Sequence, residues 1–345
     1  MTASKSRILL IYTGGTIGMI KDPMTGALKS FNFDELLKYI PEINLLDCSI
    51  QTHSFQHPID SSNMKPEYWV NLVEIIEKEY DHYDGFVVLH GSDTMSYTAS
   101  ALSFMLENLS KPIIFTGSQL PIGDLRTDAK ENLITSLQIA ALQEHGKAKV
   151  QEVCLYFEYK LYRANRTTKI SAEQFEAFDS LNYPALAESG VRLFFNETAL
   201  WRQESEAPLK VYKSMETQIL LVKLFPGLAE ATFRHLLALK GLKGVVLETF
   251  GSGNATNEAW LLDSLEETIS KGIPVVNITQ CDGGGVVMGL YETSMGLERI
   301  GVISGWDMTT EAAITKMMYL LGRQLKGENF KEQFEKSLRG EITKI

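Results

Sequence analysis

The sequence has few of the features that mark secreted or membrane-spanning proteins. No apolar run approaches the roughly 18 residues needed to span a bilayer, and no apolar stretch near the N-terminus precedes a small-residue cleavage site. Cysteine is scarce, since only Cys48, Cys154 and Cys281 are present. Their odd number and wide spacing favour free thiols in a reducing compartment. We therefore expect a cytoplasmic protein.

Positive charge is also in deficit. The chain has 33 Lys and Arg residues against 43 Asp and Glu, which gives a formal net charge of -10. This balance argues against nucleic acid or an anionic membrane as the main partner. Apolar residues (44%) and charged residues (22%) are as frequent as in ordinary globular proteins, and 345 residues are enough for two domains.

Apolar runs typical of buried strands alternate with amphipathic segments typical of helices. This alternation predicts right-handed βαβ crossovers and a largely parallel sheet. The clearest predicted strands cover residues 8–12, 86–89, 113–116, 153–157, 218–224, 244–249 and 274–279. The predicted helices cover residues 65–80, 95–109, 128–143, 229–239, 257–270 and 309–322.

The alternation is interrupted by a polar segment that contains Pro208. We therefore expect an α/β fold with two α/β domains. The larger N-terminal domain, residues 1–195, would have a largely parallel sheet with helices on both faces. A linker, residues 196–214, would lead to a smaller Rossmann-like C-terminal domain, residues 215–345.

The usual signatures of metal, phosphate and nucleophile sites are missing. G-x-S-x-G, H-E-x-x-H and C-x-x-C do not occur, and the glycines after the first strand fit neither G-x-G-x-x-G nor G-x-x-x-x-G-K. His53 and His57 have the spacing of a metal pair on a helix. However, Pro58 disfavours helical backbone at residue 57, and no third ligand is nearby. We therefore predict no metal site.

Hydroxyl groups follow two of the predicted strands. The segment TGGTIG (13–18) places Thr13 and Thr16 after one strand, and HGSDTM (90–95) places Ser92 and Asp93 after another. Open α/β sheets bind their ligands at the carboxyl ends of strands, and the glycines let a ligand approach the backbone closely. The pattern predicts an active site built from hydroxyl groups.

One lysine and one further turn complete this set. Lys169, in NRTTK (165–169), follows the predicted strand 153–157. Desolvation at a strand end can lower the pKa of a lysine and make it the proton acceptor that a hydroxyl nucleophile needs. Asp93 is suited to hold that lysine or a substrate ammonium, and the turn DSS (60–62) is suited to a carboxylate.

Four segments resemble, in this order, the motifs of the L-asparaginases, most closely those of the cytoplasmic type I branch: TGGTIG, DSS, HGSDTM and NRTTK. The segments 97–109, TGSQ (116–119) and LRGE (338–341) are also similar, so the resemblance extends over nearly the whole chain. It implies hydrolysis of L-asparagine to L-aspartate and ammonia without a cofactor, with weak glutamine hydrolysis as a secondary activity. It also implies a homodimer or a homotetramer.

The resemblance further implies a role for each motif residue. By position, Thr16 is the nucleophile that attacks the side-chain amide carbon. Ser92, Asp93 and Lys169 form a second cluster, in which Ser92 holds or activates a water or nucleophile and Lys169 accepts the proton. Both a covalent acyl-enzyme and direct attack by water stay open.

Substrate binding is implied in the same way. Ser61 and Asp93 would bind the α-carboxylate and the α-ammonium of the substrate, with the backbone of Gly91 close to them. The backbone N–H of Ser92 is a candidate oxyanion donor, which is typically worth about 3–4 kcal/mol.

The chain departs from the family pattern at three places. Ser92 stands where threonine is usual, and it keeps the hydroxyl. Ala27 stands roughly where many bacterial members have a loop tyrosine; our candidate substitute is Tyr291, from this subunit or a neighbouring one. Glu248 stands where some type I enzymes use arginine to bind a second, allosteric asparagine. A carboxylate there would repel the carboxylate of that effector.

Two other functions stay open at this point. One is the asparaginase-like subunit of a tRNA-dependent amidotransferase; such chains usually carry an extra N-terminal domain, whereas seven residues precede the first predicted strand here. The other is a non-catalytic amino-acid sensor, which would not need the lysine base. We expect the asparaginase.

Overall fold

The computed structural model describes residues 5–21, 28–30, 40–202, 207–289 and 292–343. The chain divides into two compact units. The first contains Met1–Ser180 and Pro184–Lys213, and the second contains Leu181–Tyr183 and Ser214–Ile345. No helix among the described residues is both long enough and apolar enough to cross a membrane.

Among its described residues, the first unit contains the longest strands and three helices. Its strands are β1 (Ser6–Gly14), β2 (Met19–Lys21), β3 (Leu28–Ser30), β4 (Cys48–Ile59), β5 (Gly85–Leu89), β6 (Leu106–Glu107), β7 (Ile113–Thr116), β8 (Gln143–Glu144), β9 (Lys147–Ala148), β10 (Val153–Phe157), β11 (Lys160–Arg163), β12 (Thr168–Lys169), β13 (Phe178–Asp179), β14 (Ala187–Ser189), β15 (Leu193–Phe195) and β16 (Lys210–Val211). Its described helices are α1 (Pro66–Glu79), α2 (Met95–Met105) and α3 (Ala129–Ala141).

Eight of these strands form one sheet, in the order β15-β14-β11-β10-β7-β5-β1-β4. The five strands from β10 to β4 run parallel, and the other three are antiparallel to their neighbours. Every residue of β5 and β10 is buried, and α2 and α3 pack against the central strands. Burial on both faces explains why these strands are continuous apolar runs. The expected largely parallel sheet is confirmed.

The second unit has a smaller sheet of its own. Its strands are β17 (Ile219–Lys223), β18 (Gly244–Thr249), β19 (Val275–Thr279) and β20 (Ile303–Ser304). Its helices are α4 (Glu230–Leu237), α5 (Ala259–Ser270), α6 (Glu292–Arg299), α7 (Thr310–Gly322) and α8 (Gly327–Glu335). The four strands are parallel in the order β17-β18-β19-β20. The expected smaller α/β domain is confirmed.

Several elements differ from the predicted ones; helices α6 and α8, for example, were not predicted. The helix that begins at Met95 ends at Met105 rather than at residue 109, because Leu106 is extended and pairs with Val211 in an antiparallel ladder. The 12-residue strand β4 was not predicted, since it is the edge strand of the sheet and most of its side chains are polar. His53 and His57 lie on this edge strand and are exposed.

Candidate active site

The predicted site residues follow three neighbouring parallel strands. The order β5-β1-β4 brings together the turns that begin after Leu89, Gly14 and Ile59. These turns are in direct contact: a Cβ atom built on Gly15 would lie 2.5 Å from the backbone N of Gly91. One built on Gly91 would lie 2.5 Å from Ser61 Oγ. Glycine is therefore required at both positions, and the three turns form one continuous surface.

The two threonines of TGGTIG have different environments. Thr13 is 1% exposed, and its hydroxyl donates to the carbonyl of Leu89 at 2.9 Å, which ties β1 to β5. Thr16 begins a short 3₁₀ turn after two glycines with positive φ and is partly exposed. Its side chain makes no hydrogen bond within the described part of the chain. Of the two hydroxyls, that of Thr16 is therefore the one available for chemistry.

Ser92, Asp93 and Lys169 form a hydrogen-bonded cluster. Lys169 Nζ lies 2.8 Å from Ser92 Oγ and 2.7 Å from Asp93 Oδ1. The lysine side chain is 18% exposed, whereas the aspartate side chain is 63% exposed. The amino group of the lysine is therefore largely enclosed, while the carboxylate is open to a charged group that arrives from solvent.

The packing of α2 determines where Lys169 lies. Ser92 and Asp93 lie directly before this helix, and the segment that leads to Lys169 packs along it. Thr167 Oγ1 lies 3.2 Å from Ser96 Oγ, and the Asn165 side-chain amide donates to Ser103 Oγ at 3.2 Å. One helix therefore positions both parts of the cluster, although 77 positions separate Ser92 from Lys169.

Ser61 lies where the sequence predicts a carboxylate-binding turn. It is 4% exposed and begins a 3₁₀ turn, in which the side chain of Asp60 accepts a hydrogen bond from the backbone N–H of Ser62. This hydrogen bond lowers the pKa of Asp60. Thr94 Oγ1 donates to the carbonyl of Ser61 at 2.7 Å, which fastens this turn to the Ser92 turn.

His90 holds the backbone beside Ser92 in place. Its side chain is fully buried, and burial lowers its pKa to about 4, so the imidazole is neutral at neutral pH. Nδ1 lies 2.7 Å from the carbonyl of Gly91 and therefore carries the proton of this hydrogen bond. The bond fixes the backbone next to Ser92 without adding charge.

Gln119 was missed by the sequence analysis as a site residue. Ser92 Oγ donates to its Oε1 at 3.3 Å, and its backbone N–H donates to the carboxylate of Asp128. One available signal was the family-like segment TGSQ (116–119), which ends at Gln119. The other was topological, because Gln119 follows β7, the parallel neighbour of β5. Ala27 and Tyr291, in contrast, lie outside the described residues.

Among the described residues the Thr16 hydroxyl has no hydrogen bond, and its turn contacts the turn of a second hydroxyl, that of Ser92, which pairs with a lysine that also pairs with an aspartate. Such a set is typical of a hydrolase that acts through a hydroxyl nucleophile. The family model described as asparaginase, N-terminal, matches residues 7–201. The model described as glutaminase/asparaginase C-terminal domain matches residues 218–334. The chain therefore belongs to the asparaginase family of amidohydrolases.

Individual relatives match this chain over nearly its full length. The chain is 42% identical to L-asparaginase 1 of Escherichia coli (strain K12) over 340 residues, which are 98% of each chain. The structure of L-asparaginase I from Vibrio cholerae O1 biovar eltor str. N16961 matches with a TM-score of 0.89 and 40% identity, over 98% of this chain and 99% of that chain. The thermostable L-asparaginase from Thermococcus kodakarensis matches with a TM-score of 0.88 and 32% identity, over 98% and 100%.

Proposed function

We propose that this protein is an L-asparaginase, which hydrolyses L-asparagine to L-aspartate and ammonia, with weak activity on L-glutamine. The observation that carries the proposal is the pairing of Lys169 Nζ with Ser92 Oγ at 2.8 Å and with Asp93 Oδ1 at 2.7 Å. This cluster lies at the turn whose backbone contacts the Thr16 turn. Relatives that match over nearly the full length of both chains are L-asparaginases by name.

In this proposal Thr16 Oγ1 attacks the carbon of the side-chain amide, and its proton passes to the cluster in which Lys169 is the acceptor. The backbone N–H of Ser92 stabilises the oxyanion that forms on the amide oxygen. The C–N bond then breaks, and the leaving nitrogen takes a proton and departs as ammonia. Water completes the hydrolysis and releases aspartate.

Asp93 and Ser61 bind the two ends of the substrate in this scheme. The exposed carboxylate of Asp93 pairs with the α-ammonium, because one of its oxygens already pairs with Lys169 and the other is available. The Ser61 hydroxyl donates to the α-carboxylate. L-glutamine is one methylene longer, and such a difference is worth about 1–3 kcal/mol, so we propose that glutamine is hydrolysed more slowly rather than rejected.

Further parts of the proposal concern the whole protein. Tyr291, from this subunit or a neighbouring one, acts on the Thr16 hydroxyl in place of a loop tyrosine. The protein is a cytoplasmic homodimer or homotetramer. Glu248 excludes a second, effector asparagine, because its carboxylate would face that of the effector; Thr310 Oγ1 already donates to this carboxylate at 2.6 Å.

The test measures ammonia release from L-asparagine, L-glutamine and D-asparagine. Thr16→Val removes the proposed nucleophile with little change of shape, and we expect kcat to fall by at least about a thousandfold. Thr13→Val is the matched control, because it removes a neighbouring hydroxyl that is buried and structural. Lys169→Met should lower kcat by about 10²–10⁴-fold. Near-normal turnover by Thr16→Val would refute the nucleophile assignment.

A further inference from the structure

The side chain of Gln119 joins Ser92 to the hairpin that carries Lys169. Its Nε2 donates to the backbone carbonyl of Gln174 at 3.0 Å, and its Oε1 accepts from Ser92 Oγ at 3.3 Å. A backbone carbonyl can only accept a hydrogen bond, so Nε2 must face Gln174 and Oε1 must face Ser92. The hydroxyl hydrogen of Ser92 therefore points to Gln119, and its lone pairs face Lys169 Nζ at 2.8 Å.

The backbone of Gln119 is held firmly. Its N–H lies 3.1 and 2.9 Å from the two carboxylate oxygens of Asp128, and the N–H of Leu120 donates to the same carboxylate at 3.1 Å. The amide of Asn132 donates to Asp128 Oδ2 at 3.2 Å and to the carbonyl of Gly117 at 3.1 Å. The position of the Gln119 side chain is therefore set by buried contacts behind it.

The other partner of Gln119 is also ordered. Gln174 lies in the connection between β12 and β13, where Ser171 Oγ accepts hydrogen bonds from the backbone N–H groups of Glu173 and Gln174 at 3.2 and 3.0 Å. Lys169 is the last residue of β12. Gln119 therefore contacts both the hydroxyl of the cluster and the hairpin from which the lysine projects.

Serine at position 92 gives this contact its importance. A serine side chain has three staggered χ1 states of similar energy, whereas the γ-methyl group of threonine restricts χ1. The orientation of Ser92 Oγ therefore depends on its hydrogen-bond partners. These are Lys169 and Gln119 among the described residues.

We propose that Gln119 is a positioning residue that keeps the Ser92 oxygen facing Lys169, a task that the γ-methyl group would share if residue 92 were threonine. The inference rests on the proposed function, because Lys169 Nζ, which Ser92 Oγ and Asp93 Oδ1 hold in place as hydrogen-bond acceptors, is the proposed acceptor of the Thr16 proton. Gln119 does not touch the reacting atoms in this scheme and acts through Ser92.

The test is a double-mutant cycle in turnover. Gln119→Met keeps the size of the side chain and removes both polar atoms. It should lower kcat by about fivefold, the effect of losing one ordinary hydrogen bond, while KM for L-asparagine stays within about twofold. In the Ser92→Thr background the same substitution should lower kcat by less than about twofold, relative to Ser92→Thr alone.

A matched control separates Ser92 from the hairpin. Ser171→Ala removes the turn bonds that order Gln174 but leaves the side chains of Ser92 and Gln119 intact. Any loss of kcat should be smaller than that of Gln119→Met and should disappear in the Ser92→Thr background, whereas an equal loss in both backgrounds would mean that Gln119 acts through the hairpin and would overturn the inference. An equal loss of kcat from Gln119→Met in the Ser92 and Ser92→Thr backgrounds would overturn it too, as would a change in KM alone.

Thermal unfolding gives a readout without turnover. Gln119→Met and Ser92→Ala should lower the unfolding midpoint by less together than the sum of their separate effects, since both remove the same hydrogen bond. Additive effects would overturn the inference. A wild type that releases no ammonia refutes the proposed function and the catalytic consequence drawn here, whereas an active wild type with a fully active Gln119→Met variant refutes this inference alone.

Discussion

Gly15→Ala tests whether the contact between the Thr16 and Ser92 turns sets the catalytic geometry. The added Cβ would lie 2.5 Å from N and 2.6 Å from Cα of Gly91, whereas ordinary contacts begin at 3.4 Å. Both atoms belong to the backbone, so no side chain can rotate away, and the two turns must separate by about 1 Å. A misplacement of that size costs about 10²-fold in rate. We expect kcat/KM for L-asparagine to fall by at least about 100-fold.

The control for Gly15→Ala is Gly146→Ala. Gly146 also has positive φ, +78° against +91° at Gly15, but a Cβ there would meet nothing within 4 Å. Gly146→Ala carries a backbone cost of about 1–2 kcal/mol. Gly15→Ala carries the backbone overlap and also a larger backbone cost, because φ 91° with ψ 171° is a conformation almost confined to glycine. Ammonia release and thermal unfolding are measured for both. If Gly15→Ala keeps more than about a tenth of the wild-type kcat/KM, the reasoning that joins the two turns is wrong.

Two more predictions concern buried charge, and a third concerns Glu248. Burial lowers the pKa of His90 from 6.5 to about 4, so the native state disfavours the protonated side chain. The free energy of unfolding should therefore fall by about 3 kcal/mol as the pH drops from 6.5 to 4. In pH-dependent unfolding His90→Asn should lose less free energy over the same range, and an equal loss would contradict the prediction. Lys316→Met removes the ammonium that lies 2.5 Å from the fully buried carboxylate of Glu341, and it should lower the free energy of unfolding by about 3–5 kcal/mol. Lys271→Met, at an exposed pair, should change the free energy of unfolding little. Similar losses for the two variants in denaturant titrations would refute the argument. Since we propose that Glu248 excludes an effector asparagine, initial rates should rise hyperbolically with L-asparagine concentration, and a sigmoidal curve would contradict that proposal.

The parts of the fold that were predicted correctly are those whose burial is uniform. β5, β10 and β18 are buried at every residue, so their sequences are unbroken apolar runs with clear ends. β4 has an exposed edge and alternates polar side chains with partly buried ones. Its pairing with β1 depends on a neighbour 42 positions away at the Ser6–Cys48 pair, which local pattern does not reveal.

The candidate site was predictable as a set of residues but not as a geometry. The order of the motifs named Thr16, Ser92, Asp93 and Lys169 together. Without the resemblance to the family, the residue pattern does not distinguish the two hydroxyls of TGGTIG, because both threonines follow the same strand. The difference comes from a bond of Thr13 to the carbonyl of Leu89, on the neighbouring strand.

Gln119 shows a second limit of the sequence. A glutamine after a buried strand has many uses, and its role here depends on which of its two polar atoms faces Ser92. That choice is made by the carbonyl of Gln174, 55 positions away. No local pattern carries this information, since it arises only when β7 and the β12–β13 hairpin lie side by side.

The unequal burial of the Lys169–Asp93 pair is what makes it suitable for a charged substrate. If both side chains were buried, a charged substrate could not reach the pair, and breaking the pair would cost several kcal/mol. If both were exposed, the pair would contribute little and hold no fixed geometry. Instead the lysine is 18% exposed and held by two oxygens, while the aspartate is 63% exposed. A substrate ammonium can therefore reach Asp93 from solvent without displacing Lys169 from Ser92, and the proposed binding of the α-ammonium requires this arrangement.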